Sequence, residues 1–510
     1  MRALESSAAQ AHVRCVQENR RNLMRFYSVL SSTVATLFLL LGCSKPGKVP
    51  LNGKNLNSSS KEATDAEFKL GNSGSSVEIE LAQPFSQAPL NGFLYGLDLA
   101  GPNSEAKTPD HLIHPLKPGL WRYGANWFFH RGAEVQQKIL ASNTRVMFLL
   151  SDAWPHGAGG WESGGTAPYH PARATEYSNM VTDYANRIRD LALSHPSKTF
   201  FFDIWNEPDL CDANVCFFKG SQAQFFSVFK TTYNIVKPIL NAAPNVKIGG
   251  PSNSKFNFEG HLRPFIDFVQ ANALTLDFLS WHELEPSAWN KVRQHVTTTR
   301  SYIAGKSAVQ AATIQINEII GPGDQYDMFN HVAMFSELES LGVDGAAKAC
   351  WPEGANVNNW GGSSNCFNGT LDGLLTPNLT PRNIWHFYRM YGQLGNTRAV
   401  SRSNATTGSV YTFSSPRNVD GCVQTVTANW AQSSSVNVTF KSVGVTLNGK
   451  AQLKVEKVGD AGSVSVEDKE VQIDGSSFSY NAPCGHKEVC SISLCPNSAA
   501  GFIPAMHILF

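Results

Sequence analysis

Between residues 85 and 395 the chain alternates two patterns of apolar positions. Short runs that are apolar at both odd and even places, such as Arg145-Val146-Met147-Phe148-Leu149-Leu150, take turns with longer stretches in which apolar residues return every three or four places. A run of the first kind reads as a strand buried on both faces, and a stretch of the second kind as an amphipathic helix. Eight strand runs can be counted, at 93–96, 119–123, 145–150, 201–208, 246–250, 276–282, 311–318 and 346–351. Helical periodicity occupies 177–192, 222–240, 262–273, 328–341 and 382–394. The alternation predicts an α/β fold, a (β/α)8 TIM barrel over residues 85–395.

Past residue 396 the texture changes. Val410-Tyr411-Thr412-Phe413, residues 423–430, Val436-Asn437-Val438-Thr439-Phe440 and Gln452-Leu453-Lys454-Val455 alternate apolar with polar residues between Ser, Asn and Gly turns. That pattern predicts a β-sandwich over 396–510, expected to buttress the barrel. Val77-Glu78-Ile79-Glu80-Leu81 alternates in the same way, so residues 76–84 are expected to add an N-terminal strand to that sandwich.

Residues 1–43 read as a targeting region and stand outside the fold. The apolar stretch 29–42 is too short to span a bilayer and lies between Arg25 and Cys43. Leu40-Leu41-Gly42-Cys43 resembles a bacterial lipobox, in which cleavage leaves an acylated Cys43 at the new N-terminus. The expectation is an exported lipoprotein held at the outer membrane or cell surface, with Met24 a natural alternative start to Met1. Residues 44–75, rich in Gly, Ser, Asn and Lys, read as a flexible tether.

Of the ten cysteines, Cys15 falls in the preface and Cys43 takes the lipid, which leaves eight, an even number suited to an oxidising compartment. Cys211 and Cys216 would close a small loop, and Cys350 would reach Cys366. Cys422, Cys484, Cys490 and Cys495 leave three connectivities open. No Cys-x-x-Cys pair or His partner accompanies them, so no metal or organic cofactor is expected. The 42 basic and 41 acidic residues give a net charge of +1, and setting aside residues 1–42, with five basic and two acidic, leaves −2. Such a balance offers nothing to nucleic acid.

Two strand runs end in an acid. One closes on Trp205-Asn206-Glu207-Pro208, the other on Ile316-Asn317-Glu318 ahead of Gly321-Pro322-Gly323, and 111 residues separate the two acids. At roughly 35 to 45 residues per βα unit these are strands four and seven. The C-terminal strand ends form the catalytic face of such a barrel, and a carboxyl beside Trp205 is partly desolvated, which raises its pKa toward that of a general acid. Two carboxyls on that face are what cleavage of a glycosidic bond requires.

On these motifs the chain resembles a clan A glycoside hydrolase, and most of all glycoside hydrolase family 39, the family of β-xylosidases and α-iduronidases. The resemblance spans about 85 to 395. It implies Glu207 as acid/base, Glu318 as nucleophile and Asn206 as donor to the sugar 2-hydroxyl. Asp277-Phe278-Leu279-Ser280-Trp281-His282 is similar to the family's strand-six segment, whose His borders the attacked sugar, and Arg122 fits the anchoring Arg beneath the nucleophile. Two departures stand out. No His follows Arg122 in Trp121-Arg122-Tyr123-Gly124-Ala125-Asn126-Trp127, and Asn317 precedes Glu318 where Thr is usual.

The implied reaction is retaining and needs no cofactor. Arg122 would hold Glu318 ionised, while burial and the field of Glu318 would keep Glu207 protonated. Trp351, at the end of strand eight, would floor the subsite, and Trp127 and Trp154, with Trp161, Trp289 and Trp360, fall in or near loops that would line it. His282 is expected to bond a sugar hydroxyl. Glu283, Glu285 and Asp209 read as solvated loop acids. The leading reading is a β-xylosidase-like hydrolase of a polysaccharide or oligosaccharide. The alternatives are an endo-acting hydrolase of another clan A family and a non-catalytic glycan-binding lipoprotein, which the presence of both glutamates with Asn206 disfavours.

Overall fold

The computed structural model describes residues 75–97, 108–130, 133–154, 170–212, 215–353, 364–405, 408–445, 447, 449–460 and 462–496. Cys43, the tether up to residue 74, Trp161 and Trp360 lie outside the described residues. Among the described residues no helix is long and apolar enough to cross a membrane.

A first strand, β1 (Ser75–Ser86), precedes the barrel. The barrel is β2 (Gly92–Leu94), β3 (Leu120–Gly124), β4 (Arg145–Leu149), β5 (Phe200–Asp203), β6 (Val246–Asn253), β7 (Phe278–Glu283), β8 (Thr313–Ile319) and β9 (Gly345–Lys348), closed in that order with β9 returning to β2. Every neighbouring pair is parallel. The eight expected runs are these eight strands, but two stop early. β5 ends at Asp203 and β9 at Lys348, so Glu207 and Trp351 stand on the loops that follow.

Side chains alternate across a strand, and the barrel interior is therefore built in steps of two residues. Leu120, Met147, Phe201, Phe278 and Ala347 form one small apolar cluster. Two residues further on come Arg122, Leu149, Asp203, Ser280 and, just past β9, Ala349, a layer in which Arg122, Asp203 and Ser280 are polar. The opposite parity packs outward: Phe200 and Phe202 join the large core beneath the helices, among them Gln222–Leu240, which Ser221 and Gln224 start with a reciprocal capping box.

The register breaks at two places that matter for the site. Ser280 faces Gln315 and His282 faces Glu318, while on the other side Ile316 faces Ala346 and Ile319 faces Lys348. β8 thus carries one residue more than either neighbour, and alternation lapses between Ile316 and Glu318. Consecutive residues Asn317 and Glu318 both reach the same buried charge, Asn317 through Asp203 and Glu318 through Arg122. In β6, Pro251 faces Ser280 and Asn253 faces Trp281, with Ser252 at φ 53° as the extra residue.

The remaining strands are β10 (Thr397–Ser403), β11 (Val410–Ser415), β12 (Val423–Asn429), β13 (Val436–Lys441), β14 (Gly449–Gly459), β15 (Gly462–Ile473), β16 (Ser477–Ala482) and β17 (Glu488–Pro496). They form a four-stranded sheet in the order β10-β1-β13-β16 and a five-stranded sheet in the order β11-β12-β17-β14-β15. Val77, Ile79, Val438, Phe440, Leu453 and Ile492 fill the space between the inner faces. Phe413 packs on Tyr391 at 5.3 Å between ring centres, and buried Arg398 bonds Glu339 at 2.8 Å, so the sandwich rests on the barrel's helices. Cys211 pairs with Cys216 and Cys350 with Cys366, as expected, and the open choice resolves to Cys422–Cys495 and Cys484–Cys490.

Candidate active site

The polar layer of the barrel is organised by Arg122. Fully buried on β3, its guanidinium donates through Nη1 to Glu318 Oε1 at 2.7 Å, through Nη2 to Asp203 Oδ2 at 3.0 Å and through Nη2 to Asn206 Oδ1 at 2.8 Å. Burial opposes its charge, and the carboxylates of Asp203 and Glu318 more than restore it. Asp203 also accepts from Ser252 Oγ at 2.8 Å and from Asn317 Nδ2 at 3.0 Å. This carboxyl carries no role in the sequence reading, although an Asp closing a run of three Phe was a visible signal. Asn206, with its oxygen on Arg122, keeps its amide NH2 to offer elsewhere.

Glu207 lies four residues past the end of β5 at φ 45°, in the left-handed region that a residue other than Gly seldom adopts. Its N–H donates to Ser252 O at 2.8 Å, which ties this loop to the β6 bulge. Two residues on, Asp209 accepts from Ser254 N at 2.8 Å and from Ser254 Oγ at 3.0 Å. Trp205 turns toward the helix layer, donating to Phe217 O at 3.0 Å and packing on Phe218 at 5.6 Å.

His282, on β7, stands between the two acids. Its Nδ1 is 2.8 Å from Glu207 Oε1 and 3.7 Å from Glu318 Oε2. Burial lowers its pKa to about 4, so the ring is neutral at neutral pH. Its Nδ1 is thus engaged by the acid, while Nε2 is buried without a hydrogen-bond partner. One oxygen of Glu207, one of Glu318 and a ring nitrogen of His282 all lie within 4.8 Å of one another. By distance this trio has the make-up of a cation site, but the guanidinium already against Glu318 opposes a second positive charge there.

Burial pushes Glu207 up from the ordinary 4.5 to about 8, with Asp209 adding to the rise and Arg122 opposing it. The direction is the expected one, whereas the charge that assists burial is Asp209 and not Glu318. Burial raises Glu318 as well, against the pull of His282 and of Arg122, the cation expected to hold it ionised. What separates the two acids is contact. Glu318 holds a guanidinium at 2.7 Å, while Glu207 meets a neutral imidazole.

Trp351 is half-buried and donates its indole N–H to Ile320 O at 2.9 Å, which fixes it beside the tip of β8. Trp127 stacks on Phe367 at 4.6 Å and meets the edge of Tyr95 at 6.0 Å, forming an aromatic wall. Trp154 differs from expectation: it is 5% exposed and packs edge-on against Tyr177 within the core. Of Glu283, Glu285 and Asp209, read as solvated loop acids, only Glu285 is exposed, paired with Lys291 at 2.6 Å. Glu283 is buried and accepts from Trp281 Nε1 and His295 Nδ1, each at 2.7 Å, because it takes the parity opposite to His282.

The described residues thus form a closed parallel (β/α)8 barrel with two further sheets attached, and Glu207 and Glu318 come together at its mouth. Residues 166–318 match the family described as Glycosyl hydrolases family 39, a segment that ends on Glu318 itself. The family resemblance read from the motifs is borne out. The family 39 enzyme from Xanthomonas axonopodis pv. citri superposes with a TM-score of 0.61 at 16% identity, over 84% of this chain and 98% of that one. A family 39 β-xylosidase from Caulobacter crescentus gives 0.56 at 17% identity, over 82% and 100%. At such identities these likenesses show the fold. A β-xylosidase from Caldicellulosiruptor saccharolyticus is 23% identical over 113 residues, which is 22% of this chain and 21% of that protein.

Proposed function

We propose that the protein is a retaining glycoside hydrolase, β-xylosidase-like in its substrate, with Glu318 as nucleophile and Glu207 as acid/base. The observation that carries this reading is that one carboxyl oxygen of Glu207 and one of Glu318 lie within 4.8 Å of each other. A retaining pair stands about 5 to 5.5 Å apart, whereas an inverting pair needs about 6.5 to 9.5 Å to seat a water. Glu318 then attacks the anomeric carbon and forms a glycosyl ester, while the bond to the leaving oxygen breaks and Glu207 gives that oxygen its proton. Glu207, now a carboxylate, takes a proton from water, and the resulting hydroxide displaces Glu318 with the configuration restored.

The surroundings support these roles. Arg122 gives Glu318 its stabilised charge, and Asn206, its oxygen held by the same guanidinium, offers its NH2 to the 2-hydroxyl. Glu207 stays protonated up to about pH 8. The family 39 match and the β-xylosidase relative favour a β-linked pentose or hexose chain as substrate. The proposed location is outside the cytoplasm, with Cys43 as lipid anchor, and the pairing of all eight remaining cysteines suits that compartment.

The test is hydrolysis of a panel of aryl β-glycosides (xyloside, glucoside, galactoside, glucuronide), with the anomer first released followed by proton NMR. Wild type is expected to release the β-anomer, and Glu318→Ala and Glu207→Ala to lose turnover by at least about a hundredfold. Turnover that survives Glu318→Ala, or release of the α-anomer, refutes the assignment.

A further inference from the structure

Beyond Trp351 the mouth of the barrel carries an aromatic ring that the catalytic reading leaves unused. Tyr326 lies in the loop between β8 and the helix Met328–Ser340 and is 41% exposed. A single exposed aromatic residue is ordinary, and a mobile one would carry no argument. This ring is held on several sides. Its hydroxyl donates to Glu353 Oε1 at 2.5 Å, and the Arg382 guanidinium lies over one face at 4.2 Å from the ring centre. Glu353 is in turn fixed by Asn368 Nδ2 at 2.7 Å. On the edge, Gly373 at φ 84° comes so close that a Cβ there would sit 3.1 Å from Tyr326 Cε1. Arg382 thus covers one face of a ring that is still 41% exposed.

The ring is also joined to the site. Trp351 N–H donates to Asn365 Oδ1, and Asn365 Nδ2 donates to Gln325 Oε1 at 3.1 Å, next to Tyr326. Trp351 bonds Ile320, two residues past Glu318. From nucleophile to rim the order is therefore Glu318, Trp351, Tyr326, each more exposed than the last. An aromatic face already immobilised binds the C–H face of a sugar with little further loss of freedom.

We propose that Tyr326 is a stacking platform for a second pyranose ring, so that the protein recognises a β-linked oligosaccharide chain and not only the sugar it attacks. The proposal rests on the glycosidase reading. Its test compares kcat/KM for β-xylosyl fluoride, whose leaving group has nothing to stack, with that for xylotriose. Where the aryl panel favours glucose, β-glucosyl fluoride and cellotriose replace them. Tyr326→Ala is expected to lower kcat/KM for the trisaccharide about tenfold and leave the fluoride within about twofold, and Tyr326→Phe, which keeps the ring, to preserve most trisaccharide activity. Equal losses on both substrates, or an unchanged trisaccharide, overturn the platform. A wild type that turns over neither substrate refutes the hydrolase reading alone. Calorimetric titration of the same trisaccharide into wild type and Tyr326→Ala then decides the platform, with about tenfold weaker binding expected and equal binding, or none by either protein, against it.

Discussion

Keeping Glu207 protonated works against the fold, and the size of that effect follows from its pKa. In the folded protein the group titrates at about 8, against an ordinary 4.5. Between those values the folded state holds a proton that the unfolded chain has released. Stability therefore declines as pH rises, by about 1.4 kcal/mol per pH unit. Over the whole interval the decline reaches about 4 to 5 kcal/mol, an upper figure because water and local relaxation soften burial. Glu207→Gln removes the titration and keeps a group able to bond His282. The groups that face it, Arg122 on β3, His282 on β7, Glu318 on β8 and Asp209 on its own loop, are present in both proteins. Guanidinium melts followed by tryptophan fluorescence should find the two within about 1 kcal/mol near pH 5, and the variant more stable by about 3 to 5 kcal/mol near pH 8.5. His282, lowered to about 4 in the fold, is neutral in both states above about pH 7, so the upper part of this window reports Glu207. A gap that stays constant with pH, or that widens toward acid, refutes the reasoning.

The charge of Asp209 raises Glu207 from the same loop, so Asp209→Asn, which retains an acceptor for Ser254, should move the alkaline limb of the kcat/KM pH profile down by about one pH unit and leave the acid limb in place. An unmoved alkaline limb would show that burial alone sets Glu207. The disulfides should differ in weight. Cys422–Cys495 closes a separation of 73 residues and Cys211–Cys216 one of 5, so replacing both cysteines of a pair by Ala should cost about 4 kcal/mol in the first case and about 2 in the second, read from denaturant melts. Equal costs would mean that native packing, and not loop closure, dominates.

The barrel was legible because parallel strands buried on both faces leave continuous apolar runs, and all eight runs are strands. Their ends were not. Phe201 to Pro208 reads as one strand, but hydrogen bonding to β6 dwindles past Asp203 to Ile204 N–H on Gly249 O at 3.4 Å and Glu207 N–H on Ser252 O at 2.8 Å, which residue identity does not announce. The β8 bulge was equally invisible, because alternation in a sequence cannot tell which residue is the extra one. The unusual Asn317 ahead of Glu318 was its trace: an inward-facing amide that Asp203 accepts from. Glu283 and His282 were told apart only by parity. In the sandwich, β10, β15, β16 and β17 escaped notice; β15 and β16 bury only Ile473 and Ala482, and their pairing comes from β14 and β13.

β1 has a mechanical consequence. It lies between β10, antiparallel, and β13, parallel, with six paired positions on the β13 side. A pull directed along this strand from the residues ahead of Ser75 loads both ladders in shear, where the bonds share the load and must yield together, unlike the successive peeling of a hairpin. The traction would be borne by the sandwich before it reached Gly92 and the barrel, leaving the spacing of Glu207 and Glu318 unstrained while the protein is tugged from its N-terminal side.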